Sequence, residues 1–362
     1  MPVRWAGVPG TTASSGSGWS RRLPTVSAAT FRRLCVATLV MVALIVASGA
    51  AVRLTGSGLG CADWPDCMHG HLTPPLQYHS LVEFGNRMVT VVLTVVVAAT
   101  VLASLRRRPF RRDLAWLSLG LVAGVLLQAV MGGIVVYTKL NPYLVMVHFL
   151  ASMPLVVDAV VLLHRATRDY SPGSGRLLVP GPVRLMSRLL TLFLALVLAA
   201  GSATTGASPD AGSSQGQVRA KRIPVSLRTL AELHATMALF LVGFALALAV
   251  ALHAMDVPER VRRAGRILVI VLFLQAGIGY AQYFSHLPAL LVELHVIGAT
   301  ALVVGVTQFV LALTHHPPEP AIVPVADDAV ATALHGASGP LPGARPLPSP
   351  SPAAPEGATV GW

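Results

Sequence analysis

The chain has 362 residues, of which 54% are hydrophobic and 12% charged, with a formal net charge of +12 and a mean hydropathy of +0.67. A soluble globular protein carries about twice that charge, so a soluble domain is excluded. A nucleic-acid binder is excluded too, because the arginines fall in short clusters between apolar segments, where bases set membrane topology.

Residues 1–30 are rich in Gly, Ser and Thr with scattered Arg, and read as a disordered cytoplasmic leader with no cleavable signal peptide. A first apolar span of membrane-crossing length is expected near 32–52, with Cys35 at its start as an inert thiol. The loop after it is tight and turn-rich: Gly56-Ser57-Gly58-Leu59-Gly60, then Trp64-Pro65 between Cys61 and Cys67. If that loop faces outward, the two cysteines pair in a disulfide. A loop so closed would cap a pocket in the first half and exclude water. Span two, near 81–103, carries Glu83, Asn86 and Arg87. Spans three and four are expected near 114–137 and 143–163, and spans five to eight near 186–206, 229–252, 266–285 and 288–313. Residues 315–362, rich in Pro, Ala and Gly, read as a disordered tail.

The bases orient the spans. Arg21, Arg22, Arg32 and Arg33 precede span one, and Arg106, Arg107, Arg108, Arg111 and Arg112 lie between two and three. Arg165, Arg168, Arg176, Arg184 and Arg188 lie between four and five, and Arg260, Arg262, Arg263 and Arg266 between six and seven. All become cytoplasmic if both termini are inside the cell membrane. Arg219, Lys221, Arg222 and Arg228 then fall outside, where they form a candidate site for an anionic group.

A repeat runs through this pattern. Gln128 precedes His148 at the same spacing as Gln275 precedes His295. Laid without a gap, Leu140, Leu144 and Val145 sit over Leu287, Leu291 and Val292. The expected fold is therefore an all-α polytopic membrane protein, eight transmembrane helices arranged as two parallel four-helix repeats. The first repeat would span 31–165 and the second 186–313.

Asn86, His148, His234 and His295 each fall on an even-numbered span, at a depth of roughly 10 Å below its outer end. Two histidines at one depth on facing helices can clamp a heme iron from both sides, and paired histidines suit an electron-transferring cofactor. His234 and His295 are such a pair. The plainer reading of either alone is a hydrogen-bonding contact between helices. His148 has Asn86 across from it, and Asn is a poor iron ligand, so the first half should hold a heme weakly, on one side, or present it for reaction. Glu83 shares a helix face with Asn86. A carboxylate in an apolar helix is costly, so proton transfer is the reading, with an ion pair to Arg87 as the plainer alternative. Arg53 and Arg87 could pair with heme propionates, while snorkelling to lipid headgroups is equally open for Arg53.

At these residues the chain resembles the heme A synthase family, over roughly residues 32–313. The resemblance is carried by Arg53 to Leu59, Cys61, Asp63-Trp64-Pro65 and Cys67, then by Glu83 and Arg87 around position 86, and by His148, His234 and His295. It implies an eight-helix membrane oxidoreductase that turns the C8 methyl of heme O into a formyl group with oxygen from water. It implies heme b held by His234 and His295, heme O near His148 and Glu83, with Asn86, Arg87 and Arg53 lining the substrate pocket, and a Cys61–Cys67 disulfide. The partners implied are heme O and membrane lipid; handover from heme O synthase and a homo-oligomer are left open. Asn86 departs from the family, many of whose members have His there. The rival readings are a non-catalytic cytochrome-b-like electron carrier, which would need two similar bis-histidine sites, and a transporter, which would need helix breaks at mid-membrane.

Overall fold

The computed structural model describes residues 25–61, 63–68, 70–71, 73–168, 175–209, 212 and 220–315. All of them belong to one unit, Met1–Pro318. The expected tail beyond His315, and the leader up to residue 24, lie outside the described residues.

Eight helices account for nearly all of this structure: α1 (Ala28–Leu54), α2 (Tyr78–Arg106), α3 (Arg112–Tyr137), α4 (Pro142–Ala166), α5 (Gly181–Ala207), α6 (Leu227–Ala254), α7 (Glu259–Phe284) and α8 (Ala289–Ala312). Each is long and apolar enough to cross a membrane, so the protein is an all-α, multi-pass membrane protein. Helices are the form such segments take because lipid offers backbone N–H and C=O groups no partner. Side-chain oxygens cap the entries of α1, α4 and α6, where Ser27, Asn141 and Ser226 accept from Thr30, Tyr143 and Thr229 amides. Pro154 does not break α4, which runs through it. Large apolar side chains such as Val95, Leu126, Phe240 and Leu274 are exposed on the bundle exterior, where hydrocarbon would solvate them.

The helices overrun the expected spans at their charged ends. α7 starts at Glu259 rather than near 266, because Glu259 accepts from Arg262 at 2.9 Å and Arg266 at 2.6 Å along the first turns. Long basic side chains also let a helix extend past the hydrocarbon while the charge stays in water. α2 likewise starts ahead of 81, which puts His79 on its first turn, with Nδ1 3.0 Å from Ser57 Oγ.

The helix neighbours follow the same order in both halves. α1 packs on α2 and α4, α2 on α3, and α3 on α4; α5 packs on α6 and α8, α6 on α7, and α7 on α8. Thus α2 and α4 are diagonal to each other, as are α6 and α8. The halves meet where α1 and α4 contact α8 and where α4 contacts α5. One apolar core runs through both, from Phe31 and Leu121 to Leu268 and Phe309. Inside it Thr38 and Thr100 satisfy one another at 2.9 Å.

The matched sequence segments fold into matched turns. Lys139 and Leu140 have φ of 54° and 59°, and their aligned partners His286 and Leu287 have 63° and 61°. In each turn the leucine amide reaches back to the helix, Leu140 N to Val135 O at 2.9 Å and Leu287 N to Gln282 O at 2.8 Å. Left-handed backbone is unfavourable for a leucine. Burial of Leu140 among Leu59, Val135, Leu144, Val145 and Ala220 offsets that cost. At the opposite end of the bundle, a two-residue ladder of β1 (Arg176–Leu177) and β2 (Thr314–His315) ties the α4–α5 connection to the exit of α8.

Candidate functional site

A cavity of about 890 Å³ opens between the helices near the end that carries the Cys61–Cys67 loop. Its lining includes Arg53, Glu83, Asn86, Arg87, His148, His234 and His295, so it reaches into both halves. Ligand sites of this size, mostly apolar with a few polar groups, are the usual form of a small-molecule pocket.

The second half supplies a histidine pair. His234 lies on α6 with Nδ1 3.0 Å from Val197 O, a contact in which Nδ1–H donates and Nε2 is left free as an acceptor. His295 lies on α8, and its Nδ1 is buried without a hydrogen-bond partner. The two ring centroids are 6.2 Å apart and the ring planes stand at 84°. Two imidazoles on opposite sides of one metal, each bonded at about 2.0–2.1 Å, hold their nitrogens about 4 Å and their centroids about 6 Å apart. The observed separation fits an ion between them. Among the described residues no three His, Cys, Asp or Glu side chains converge. A metal held here would therefore draw its other ligands from elsewhere, as a porphyrin's nitrogens provide.

Glycines make room for these rings. A Cβ at Gly201 would lie 2.8 Å from His234 Cε1, and one at Gly279 would lie 3.1 Å from His295 Cε1. Behind His295, Gln275 Nε2 donates to its carbonyl oxygen at 2.8 Å. In the first half the aligned glycine, Gly132, is beside His148 at 3.8 Å from Cε1. His148 Nδ1 is buried without a partner, and so is Nε2 of Gln128, the counterpart of Gln275. Asn86 Oδ1 accepts from Ser48 Oγ at 2.7 Å.

Glu83 makes the ion pair that was the plainer reading of its sequence. Oε1 accepts from Arg87 at 2.7 Å, and Oε2 accepts from the Cys61 amide at 2.8 Å. Arg87 also donates to the carbonyls of Asp63, Pro65 and Asp66 at 2.9, 3.2 and 2.7 Å. The pair thus clips the disulfide-closed loop onto α2, and Cys61 and Cys67 are bonded. Trp64 of that loop lines the cavity and packs on Gly133, where a Cβ would sit 2.8 Å from its ring, and Tyr137 donates to its carbonyl at 2.5 Å. Arg53 does not snorkel outward. It turns in and donates to Thr205 O of α5 at 2.6 Å, joining the two halves at the rim of the cavity.

The other candidate cations are dispersed. Arg228 forms an exposed ion pair with Glu232 and Arg222 donates to Pro209 O, while Arg219 lies outside the described residues. Ser48, the Val197 carbonyl, Gly201 and Thr205 carry no sequence signal, since each acts through a contact with a distant helix.

Loop docking predicts a large effect at one glycine. Ser80 Oγ donates to Gly60 O at 2.6 Å, and a Cβ at Gly60 would collide with the His79 carbonyl and lie 2.8 Å from the Ser80 amide. These are backbone atoms of α2 and cannot swing aside. Gly60→Ala should lower stability by about 2–3 kcal/mol, seen as a reduced Tm of the detergent-solubilised protein.

The model of a family described as cytochrome oxidase assembly protein matches residues 32–81 and 76–307. The heme A synthase of Bacillus pumilus is 35% identical over 143 residues, 38% of this chain and 46% of that protein. That of Geobacillus kaustophilus is 34% identical over 143 residues, covering 36% and 44%. That of Staphylococcus saprophyticus is 27% identical over 173 residues, covering 47% and 57%. The chain spans about half the length of the curated relatives it matches.

Proposed function

Since the chain belongs to the cytochrome oxidase assembly protein family, we propose that it is a heme A synthase of the cell membrane, with its termini in the cytoplasm. It would oxidise the C8 methyl of heme O to a formyl group, methyl plus water giving formyl with loss of electrons and protons. The observation that carries this reading is the 6.2 Å His234–His295 pair in a cavity that also reaches His148. A resident cofactor and a substrate of the same shape would then lie side by side.

In this reading His234 and His295 hold heme b, which accepts electrons when bound. His148 takes the iron of heme O, and its orphaned Nδ1 and the open space beside Gly132 suit an imidazole that moves to meet it. Arg53, which lines the cavity, would pair with a propionate in this reading. Arg87 is committed to the loop, so its contribution is to hold that cover in place. The Trp64 loop excludes bulk water, and Glu83, on the cavity wall, holds or takes a proton as the methyl is oxidised. An electron carrier is disfavoured because the first half pairs His148 with Asn86.

The test is pigment extraction from cells lacking the gene. They should accumulate heme O and contain no heme A. Return of the wild-type gene should restore heme A, and return of the His148→Ala gene should not. Heme A at wild-type level in the deleted cells would rule the assignment out.

A further inference from the structure

The two halves present different pairs at corresponding places. α6 and α8 do not pack on each other, and His234 and His295 reach across the gap between them. α2 and α4 stand in the same diagonal relation, and Asn86 and His148 both line the cavity there. The first half therefore offers an imidazole and a carboxamide where the second offers two imidazoles.

The carboxamide is held in one orientation. Ser48 Oγ is 2.7 Å from Asn86 Oδ1 and 3.2 Å from Ile45 O. A hydroxyl has a single proton, and the shorter contact takes it. Oδ1 is then engaged as an acceptor, and Nδ2 makes no hydrogen bond among the described residues. A carboxamide is a poor iron ligand, but its nitrogen is a good donor.

We infer that the Asn86 side of the first half is a pocket for a small exchangeable ligand on a porphyrin iron, with Asn86 Nδ2 as the donor that orients it. The ligand class is a small molecule with an acceptor atom, such as water, cyanide or carbon monoxide. His148 holds the other side. The inference rests on the proposed binding of heme in both halves. Ser48 acts as a positioning residue, because it fixes which end of the carboxamide faces the cavity.

The full-length protein, purified from heme-replete cells and loaded with heme b as a stand-in for substrate, is reduced and exposed to carbon monoxide. The wild type should show one low-spin heme that ignores the gas and one that binds it. Asn86→His should abolish the carbon monoxide response and make both hemes low-spin. Asn86→Ala should still bind the gas, with a shifted C–O stretch and release faster by about 5- to 10-fold, the effect of one lost hydrogen bond. Ser48→Ala should shift the stretch in the same direction. Two bound hemes that are both low-spin and inert to carbon monoxide would overturn this inference and leave the proposed function standing. Identical stretches in wild type and Asn86→Ala would remove the donor role. Protein that binds no heme under any loading condition would overturn both.

Discussion

His295→Ala should eliminate the low-spin, doubly imidazole-ligated heme spectrum and lower heme A production by at least ~100-fold, since even the outer partners of a metal ligand are worth about 10- to 100-fold. In the proposed reading only the ring of His295 binds iron. Its carbonyl, which accepts from Gln275 at 2.8 Å, belongs to the backbone and survives the change. Truncation leaves a space beside Gly279, so the helix pair is not forced apart. Fold stability should then change by no more than ~1–2 kcal/mol, which separates loss of ligand from loss of structure. Free imidazole added to the variant should refill the space and recover part of the low-spin spectrum. His234→Ala should behave alike, with a further difference: the Val197 carbonyl loses its partner at 3.0 Å. A persistent low-spin spectrum in the His295→Ala protein would mean that its imidazole is not a ligand.

Much of the site could be read from residue order because it depends on local geometry. The eight apolar runs became eight helices because lipid demands internal hydrogen bonding. The matched Gln–His segments became matched turns, down to the left-handed pairs at Lys139–Leu140 and His286–Leu287. His234 and His295 are picked out by their matched depth and by the repeat, and their rings are 6.2 Å apart. What the sequence did not reveal lies in contacts between helices far apart in the chain. Arg53 belongs to the first half but donates to Thr205 of the second, so its aliphatic-plus-charge character suggested lipid as readily as protein. Gly201 clears space for His234, and no spacing rule links residues on different helices. The two expected pockets are joined in one cavity, whose lining takes in His148 as well as His234 and His295.

Glu83→Gln should lower heme A production by ~10²- to 10⁴-fold, the usual worth of a positioned acid or base, while heme content stays unchanged. The argument turns on separating two roles for one carboxylate. As a clip, Glu83 needs an acceptor for the Cys61 amide and a partner for Arg87. A glutamine keeps an acceptor oxygen, and Arg87 retains three loop carbonyls, so the loop should remain docked. As a proton holder, Glu83 needs an exchangeable carboxyl proton, which an amide cannot supply. Glu83→Ala removes both functions at once. It leaves the half-buried Arg87 guanidinium without its carboxylate and the Cys61 amide without an acceptor, at a cost of roughly 1–3 kcal/mol. Glu83→Asp should keep the charge but fall short of Cys61, giving intermediate activity with a loosened loop. Proteolysis at the 61–67 loop reads the clip, and pigment analysis reads the chemistry. Full heme A production by the Gln variant would confine Glu83 to holding the loop, and the proton would have to travel by another group on the cavity wall.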